Sequence, residues 1–229
     1  METVVSVNWS AVGSIAAAVI VLINLYLLFI KPRWERPRLN IEFGMRAPFC
    51  RETISGKFRS TDPKVTVPTY WVRVRIRNSG KATAKSCLGK VTEVMDSDGK
   101  VMDEFDPTQM HWVTTDWGRV SFATLDLGGR GDYEYIDLLA VQANDDKAYI
   151  CGDQFEWAHY PPRGLRNYLE PGKYVIRFVV YAENAESAEK YLSLVWGGRA
   201  IEDIIAKAHD NLDEARDHLQ QPAEGIRTR

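Results

Sequence analysis

Cys151, Asp153 and His159 are the residues whose types could serve as nucleophile, orienter and base. A thiolate attacks only when a base sits beside it and a third group holds that base in place. No motif surrounds the Cys151 and His159 pair, and the same residue types occur wherever a thiol is packed, inert, in a core. The sequence has no Gly-x-Ser-x-Gly elbow to offer a serine instead. The four histidines, His111, His159, His209 and His218, lack the His-Glu-x-x-His and Cys-x-x-Cys companions of zinc sites, so the fold would have to assemble any metal centre. Asp96 and Asp98 before Gly99 carry only part of a calcium loop's donors and read better as a hairpin turn. Gly128-Gly129-Arg130-Gly131 lacks the strand-then-helix setting of a phosphate cradle. The expectation is a protein that is not an enzyme, with no cofactor and no metal.

The elements that must position any working side chain are of three kinds. Residues 1–30 comprise an N-terminal tail and a transmembrane helix. Ala11 to Ile30 is almost wholly apolar, and its twenty residues at about 1.5 Å each match a hydrocarbon layer of about 30 Å. Trp9, Tyr26 and Trp34 stand near its ends, where amphipathic rings favour the headgroup level. No Lys or Arg precedes the run and no small-residue cleavage site follows it, so a retained span is expected rather than a cleaved signal. Lys31, Arg33, Arg36 and Arg38 follow at once, and such basic flanks stay in the cytoplasm. The expected topology is therefore single-pass in the cell membrane, with the N-terminus outside and the remaining chain cytoplasmic. Residues 31–37, with Pro32 and Pro37, read as a stiff basic linker. Membrane lipid is the first expected partner. Gly13, Ala17, Ile20 and Asn24 recur at intervals of four, three and four, one seam of a helix along which a second copy could pack. Small residues are also common in spans that associate with nothing, so homo-oligomerisation stays open.

Residues 38–197 turn to a period of two. Val72, Val74 and Ile76 alternate with Arg73, Arg75 and Arg77, the pattern of a half-buried strand with a basic outer face. Arg38 to Phe43 starts a strand, Arg46 to Pro68 reads as a long loop, and Ala84 to Met95 returns as a strand after the turn Asn78-Ser79-Gly80. Further strands are expected over Met110 to Thr115, Val120 to Leu125, Tyr133 to Ala140, Tyr174 to Tyr181 and Lys190 to Trp196. Short strands with regular turn signals imply a mainly β chain folded as an antiparallel sandwich. Cys50, Cys87 and Cys151 are too few and odd in number for a disulfide framework, as expected of reduced thiols.

The run Val74-Arg75-Ile76-Arg77-Asn78-Ser79-Gly80 with Ala82 and Ala84 resembles the strand-turn-strand of immunoglobulin-like β-sandwich domains of the prokaryotic cell-adhesion-related kind. Leu169-Glu170-Pro171-Gly172-Lys173-Tyr174 is similar to the entry to a late strand in the same domains. The resemblance spans residues 70–197. It implies an immunoglobulin-like fold and a tendency to bind partners, not an activity.

Within that region the stretch 153–162 carries Phe155, Trp157, His159 and Tyr160, rings of the kind enriched at interfaces. They form either a recognition loop or a local core over the end of the sandwich. Residues 198–229 change character: Ile201, Ile205, Ala208, Leu212, Ala215 and Leu219 recur at helical spacing, which predicts an acidic amphipathic helix followed by a tail. That helix is expected to pack on the domain or on another chain. The whole chain holds 29 basic and 31 acidic side chains, a balance without the basic excess of nucleic-acid binders. Function is therefore expected to be that of a membrane-anchored protein whose cytoplasmic sandwich is a protein-interaction or scaffold module, as in a subunit of a membrane complex, with a protein partner. The alternative is an extracytoplasmic ligand-binding or adhesion domain using the aromatic loop.

Overall fold

Trp9 begins a helix that continues without interruption to Glu35. The computed structural model describes residues 9–57, 64–114, 124–152, 166–198 and 203–221. The chain divides into two compact units, Met1–Arg36 and Pro37–Arg229. In the first, α1 (Trp9–Leu25) passes through a wider π turn (Tyr26–Ile30) into α2 (Lys31–Glu35). Pro32 has no amide hydrogen to give the preceding turn, and the Lys31 N–H bonds the Tyr26 carbonyl, five residues back. Gly13–Glu35 is 23 residues long and apolar enough to cross a membrane, and none of it is buried. A core helix of a soluble protein would hide one face. The linker expected over residues 31–37 is thus helical as far as Glu35, continuing directly from the π turn that precedes Pro32.

The second unit is built from two antiparallel sheets. The first contains β1 (Leu39–Glu42), β2 (Cys50–Gly56), β3 (Thr66–Asn78), β6 (His111–Trp112), β8 (Asp132–Gln142), β9 (Ala148–Ile150) and β10 (Tyr168–Leu169). Its order is β1-β3-β8-β9-β10, with β2 also on β3 and β6 on β8. The second contains β4 (Ala84–Asp96), β5 (Thr108–Gln109), β7 (Leu125–Leu127), β11 (Gly172–Ala182), β12 (Ala185–Trp196) and β13 (Ile204–His209), in the order β13-β12-β11-β4-β5 with β7 also on β4. The inner faces share one core: Val72, Val74, Ile76 and Ile136 from the first sheet meet Val91, Ile176, Phe178 and Leu192 from the second. Each such side chain contributes about 1.5–3 kcal/mol by leaving water. Gly89 on β4 lies where a Cβ would come within 2.4 Å of Ile136 Cδ1, so any larger residue there would force the Ile136 side chain to shift within the core.

Asn78 governs the crossing between sheets. Its fully buried amide oxygen accepts from the Arg38 and Gly80 amides, both at 3.0 Å, and its nitrogen donates to the Ala82 and Leu127 carbonyls at 2.8 and 3.1 Å. One side chain thereby ties the start of β1, the turn after β3 and the end of β7. The turn Asn78-Ser79-Gly80 consequently sends the chain from one sheet to the other instead of closing a hairpin.

Two expectations are corrected by the strands themselves. Arg46 to Pro68 is not all loop: Cys50–Gly56 is an edge strand paired with β3, inconspicuous in sequence because only Cys50 reaches the core while Ile54 is 75% exposed. The C-terminal helix does not begin near Ile201. Ile204–His209 is a strand in which Ile204 and Ala206 face inward, and only then does α3 (Leu212–Gln220) follow. α3 packs on the outer face of the second sheet, where Ala215 and Leu219 meet Met95 and Val175 in a cluster separate from the main core.

Candidate functional site

The alternation of β3 places Arg73, Arg75 and Arg77 on the outer face of the first sheet, opposite Asp137, Tyr135 and Tyr133 of β8. Each arginine has a different environment. Arg73 Nε bonds Asp137 Oδ1 at 2.6 Å, and the Asp137 side chain is only 2% exposed. Burial raises the Asp137 carboxyl above its ordinary value while the Arg73 charge pulls it back. Arg75 Nε donates to Glu42 Oε2 at 2.7 Å, with its Nη2 also paired to that carboxylate, and these bonds hold the guanidinium firmly protonated. Its Cζ lies 5.3 Å from the Phe49 ring centroid and 5.1 Å from that of Tyr133, so the cation is flanked by two π-faces. Arg77 Nη1 stands 3.7 Å from Glu42 Oε1 and is 47% exposed.

The rings also contact one another. Tyr133 and Tyr135 meet edge-on at 5.8 Å, Phe49 and Tyr135 at 6.0 Å, and Phe43 and Phe49 at 6.4 Å. Edge-to-face geometry of this kind fixes ring orientation. Tyr133, against Tyr135 and Arg75, is 47% exposed. The result is a preorganised surface of aromatic rings around fixed guanidinium groups, a composition typical of interface anchors. The sequence showed the basic stripe but not the rings beside it, because Phe49 and Tyr133 come from segments distant along the chain.

Beside this surface, His111 on β6 pairs with Asp137 across the sheet, and burial lowers its imidazole to about 4. Cys151 is fully buried, its thiol donating to the Tyr149 carbonyl at 3.8 Å, and burial pushes it well above the usual thiol range. Burial likewise raises Cys50, and pushes Cys87 up to about 11. All three cysteines are free and buried. Burial of this kind favours the protonated thiol.

A second constellation was missed in the sequence. Ser193 on β12 is fully buried, and its Oγ lies 2.9 Å from both His209 Nε2 and His218 Nδ1. The residues are far apart along the chain, and the mistaken helix over Ile201 to Leu219 hid that His209 belongs to a strand. Through these two bonds the hydroxyl joins β12 to β13 and to α3.

Phe155, Trp157, His159 and Tyr160, together with Asp153, lie outside the described residues. Gly13, Ala17, Ile20 and Asn24 are all exposed on α1, within about 60° of one another around the helix axis. Lys31, Arg33, Arg36 and Arg38 are exposed as well. Asp96, Lys100, Met102, Asp103 and Glu104 line a shallow open depression around the β4 turn. Among the described residues, no three His, Cys, Asp or Glu side chains gather to hold a metal ion. No family model, no curated protein and no solved structure matches the chain.

Proposed function

We propose that this chain is a single-pass membrane protein whose β domain is a cytoplasmic protein-interaction module docking its partner on the Arg75 surface. The observation that carries the reading is the Arg75 guanidinium fixed by Glu42 and flanked by the rings of Phe49 and the exposed Tyr133. Preorganised aromatic and arginine side chains lose little entropy on binding. Membrane attachment is supported by the long apolar helix without a buried face, and a cytoplasmic domain by the basic residues that follow it. The sheet-switching link between β3 and β4, with the Pro171-Gly172 entry to β11, supports an immunoglobulin-like arrangement of the sandwich. The face of Gly13, Ala17, Ile20 and Asn24 supports association of two copies within the membrane.

Photo-crosslinking tests the docking face. A photoreactive phenylalanine at Tyr133 in the full chain, in native membranes, should give a discrete protein adduct. Tyr133→Ala should weaken that partner's retention at least about tenfold, the loss of one anchor residue. Absence of any protein adduct at Tyr133, with adducts appearing from probes elsewhere on the domain, would move the interface away from Arg75.

A further inference from the structure

Helix α3 rests on the sheet through a small set of contacts: Leu212, Ala215 and Leu219 in one cluster with Met95, Val175, Tyr191 and Val195, the Arg216 side chain over Gly99, a Lys173 Nζ bond to the Leu219 carbonyl at 2.6 Å, and the pair of imidazoles around Ser193. We infer that α3 is a proton-released cover: charging His209 and His218 loosens the helix from the second sheet and uncovers an apolar strip of Met95, Val175, Tyr191 and Val195.

The geometry makes the site intolerant of two charges. The imidazole centroids are 5.3 Å apart. With both rings neutral, the Ser193 hydroxyl donates to one ring nitrogen and accepts from the other ring's N–H. When the accepting nitrogen takes a proton, both rings donate to Ser193 Oγ, and its own hydrogen turns to the Lys207 carbonyl at 3.3 Å. One charge is thereby accommodated. A second places two imidazolium groups side by side, next to the Lys207 ammonium, over a buried oxygen.

The surrounding charges do little to compensate. Asp210, paired with Lys190, and Glu214 both favour a charged His209, but burial, His218 and Lys207 outweigh them. From β11, Lys173 adds a positive charge at the end of α3, while Arg177 is taken by Glu93 of β4 and Glu189 of β12. Arg216 on the helix lies over Gly99, with Asp213 and Asp217 as its remaining charged residues. The helix C-terminal dipole favours a charged His218, but the Lys173 ammonium already occupies that end. Burial, His218 and Lys207 lower His209, and burial and Lys207 lower His218, below their ordinary 6.5. A docked value below the free one means that the histidines' contribution to docking is full above pH 6.5 and declines as pH falls from 6.5 toward the lowered docked values. The contacts released belong to the small cluster, so the main core remains closed.

Hydrogen exchange of the full-length protein in phosphatidylcholine nanodiscs, corrected for intrinsic rates, tests this. Protection of the α3 amides should be constant from pH 8 to 7 and then fall below 6.5, by up to about tenfold per pH unit for the one proton that docking excludes. β3 and β8 should stay protected. The double variant His209→Gln with His218→Asn keeps a hydrogen-bonding nitrogen at each position but cannot be charged, and should hold α3 equally at pH 7.5 and 5. Unchanged wild-type protection at pH 5, release together with β3 and β8, or equal release in the double variant would each overturn the inference. Should the double variant not fold, imidazole NMR titration of the wild type decides. Release tracking the two histidines supports the cover, and release at a carboxylate's pH refutes it.

Discussion

Arg73 and Asp137 bear on stability more than any exposed pair on the same face. Arg73→Leu leaves a carboxylate at 2% exposure without its partner, and should destabilise the domain by about 3 kcal/mol at pH 7, read by urea denaturation. That penalty should shrink as pH falls, because burial already raises the Asp137 carboxyl and the unpaired group takes up a proton more readily still. His111 has the opposite sign of dependence on acid. Its imidazole, lowered to about 4 by burial, binds a proton more readily in the unfolded chain, whose histidine titrates near 6.5. Stability should therefore decline between pH 6.5 and 4, by at most about 3 kcal/mol, and His111→Gln should flatten that part of the profile. The three thiols predict slow modification by iodoacetamide in the native protein and rapid modification in urea.

Among the elements, those with strong two-residue alternation were legible and those built from polar or small residues were not. Val72, Val74 and Ile76 marked β3 because each is apolar and each is fully buried. β2 escaped because an edge strand needs only one inward anchor, here Cys50. β13 escaped because Ile204, Ile205, Ala206 and Ala208 satisfy a helical and a strand period at once, and alanine weighs little in either. The true start of α3 was nonetheless written in the sequence: Asn211 Oδ1 accepts the Glu214 amide at 2.9 Å, and Asn211 Nδ2 returns a bond to the Glu214 carboxylate. Asn211→Ala should cost about 1 kcal/mol and show first as faster exchange in α3. The basic half of the candidate surface was visible, whereas its rings were assembled by strand pairing that no local pattern reports.

At the scale of the molecule, the division at Arg36 and Pro37 separates an apolar rod from a domain with its own core. Chain topology should respond to charge alone. Moving the positive side chains of Lys31, Arg33, Arg36 and Arg38 to the segment before Trp9 should invert the protein, measured by a compartment-specific reporter at the C-terminus. If the reporter reads as exported in the unaltered chain, the cytoplasmic reading fails and the extracytoplasmic one takes its place.

The pairing of distant strands imposes an order on biosynthesis. β3 waits for β8, whose Asp137 lies 64 residues beyond Arg73, and the second sheet waits for β12 and β13. The apolar rod leaves the ribosome well before either sheet can close. On the membrane-anchored reading proposed for this chain, it meets the translocon while its strands are still open edges, and a chaperone that shields such edges should be found on stalled intermediates ending between β4 and β11.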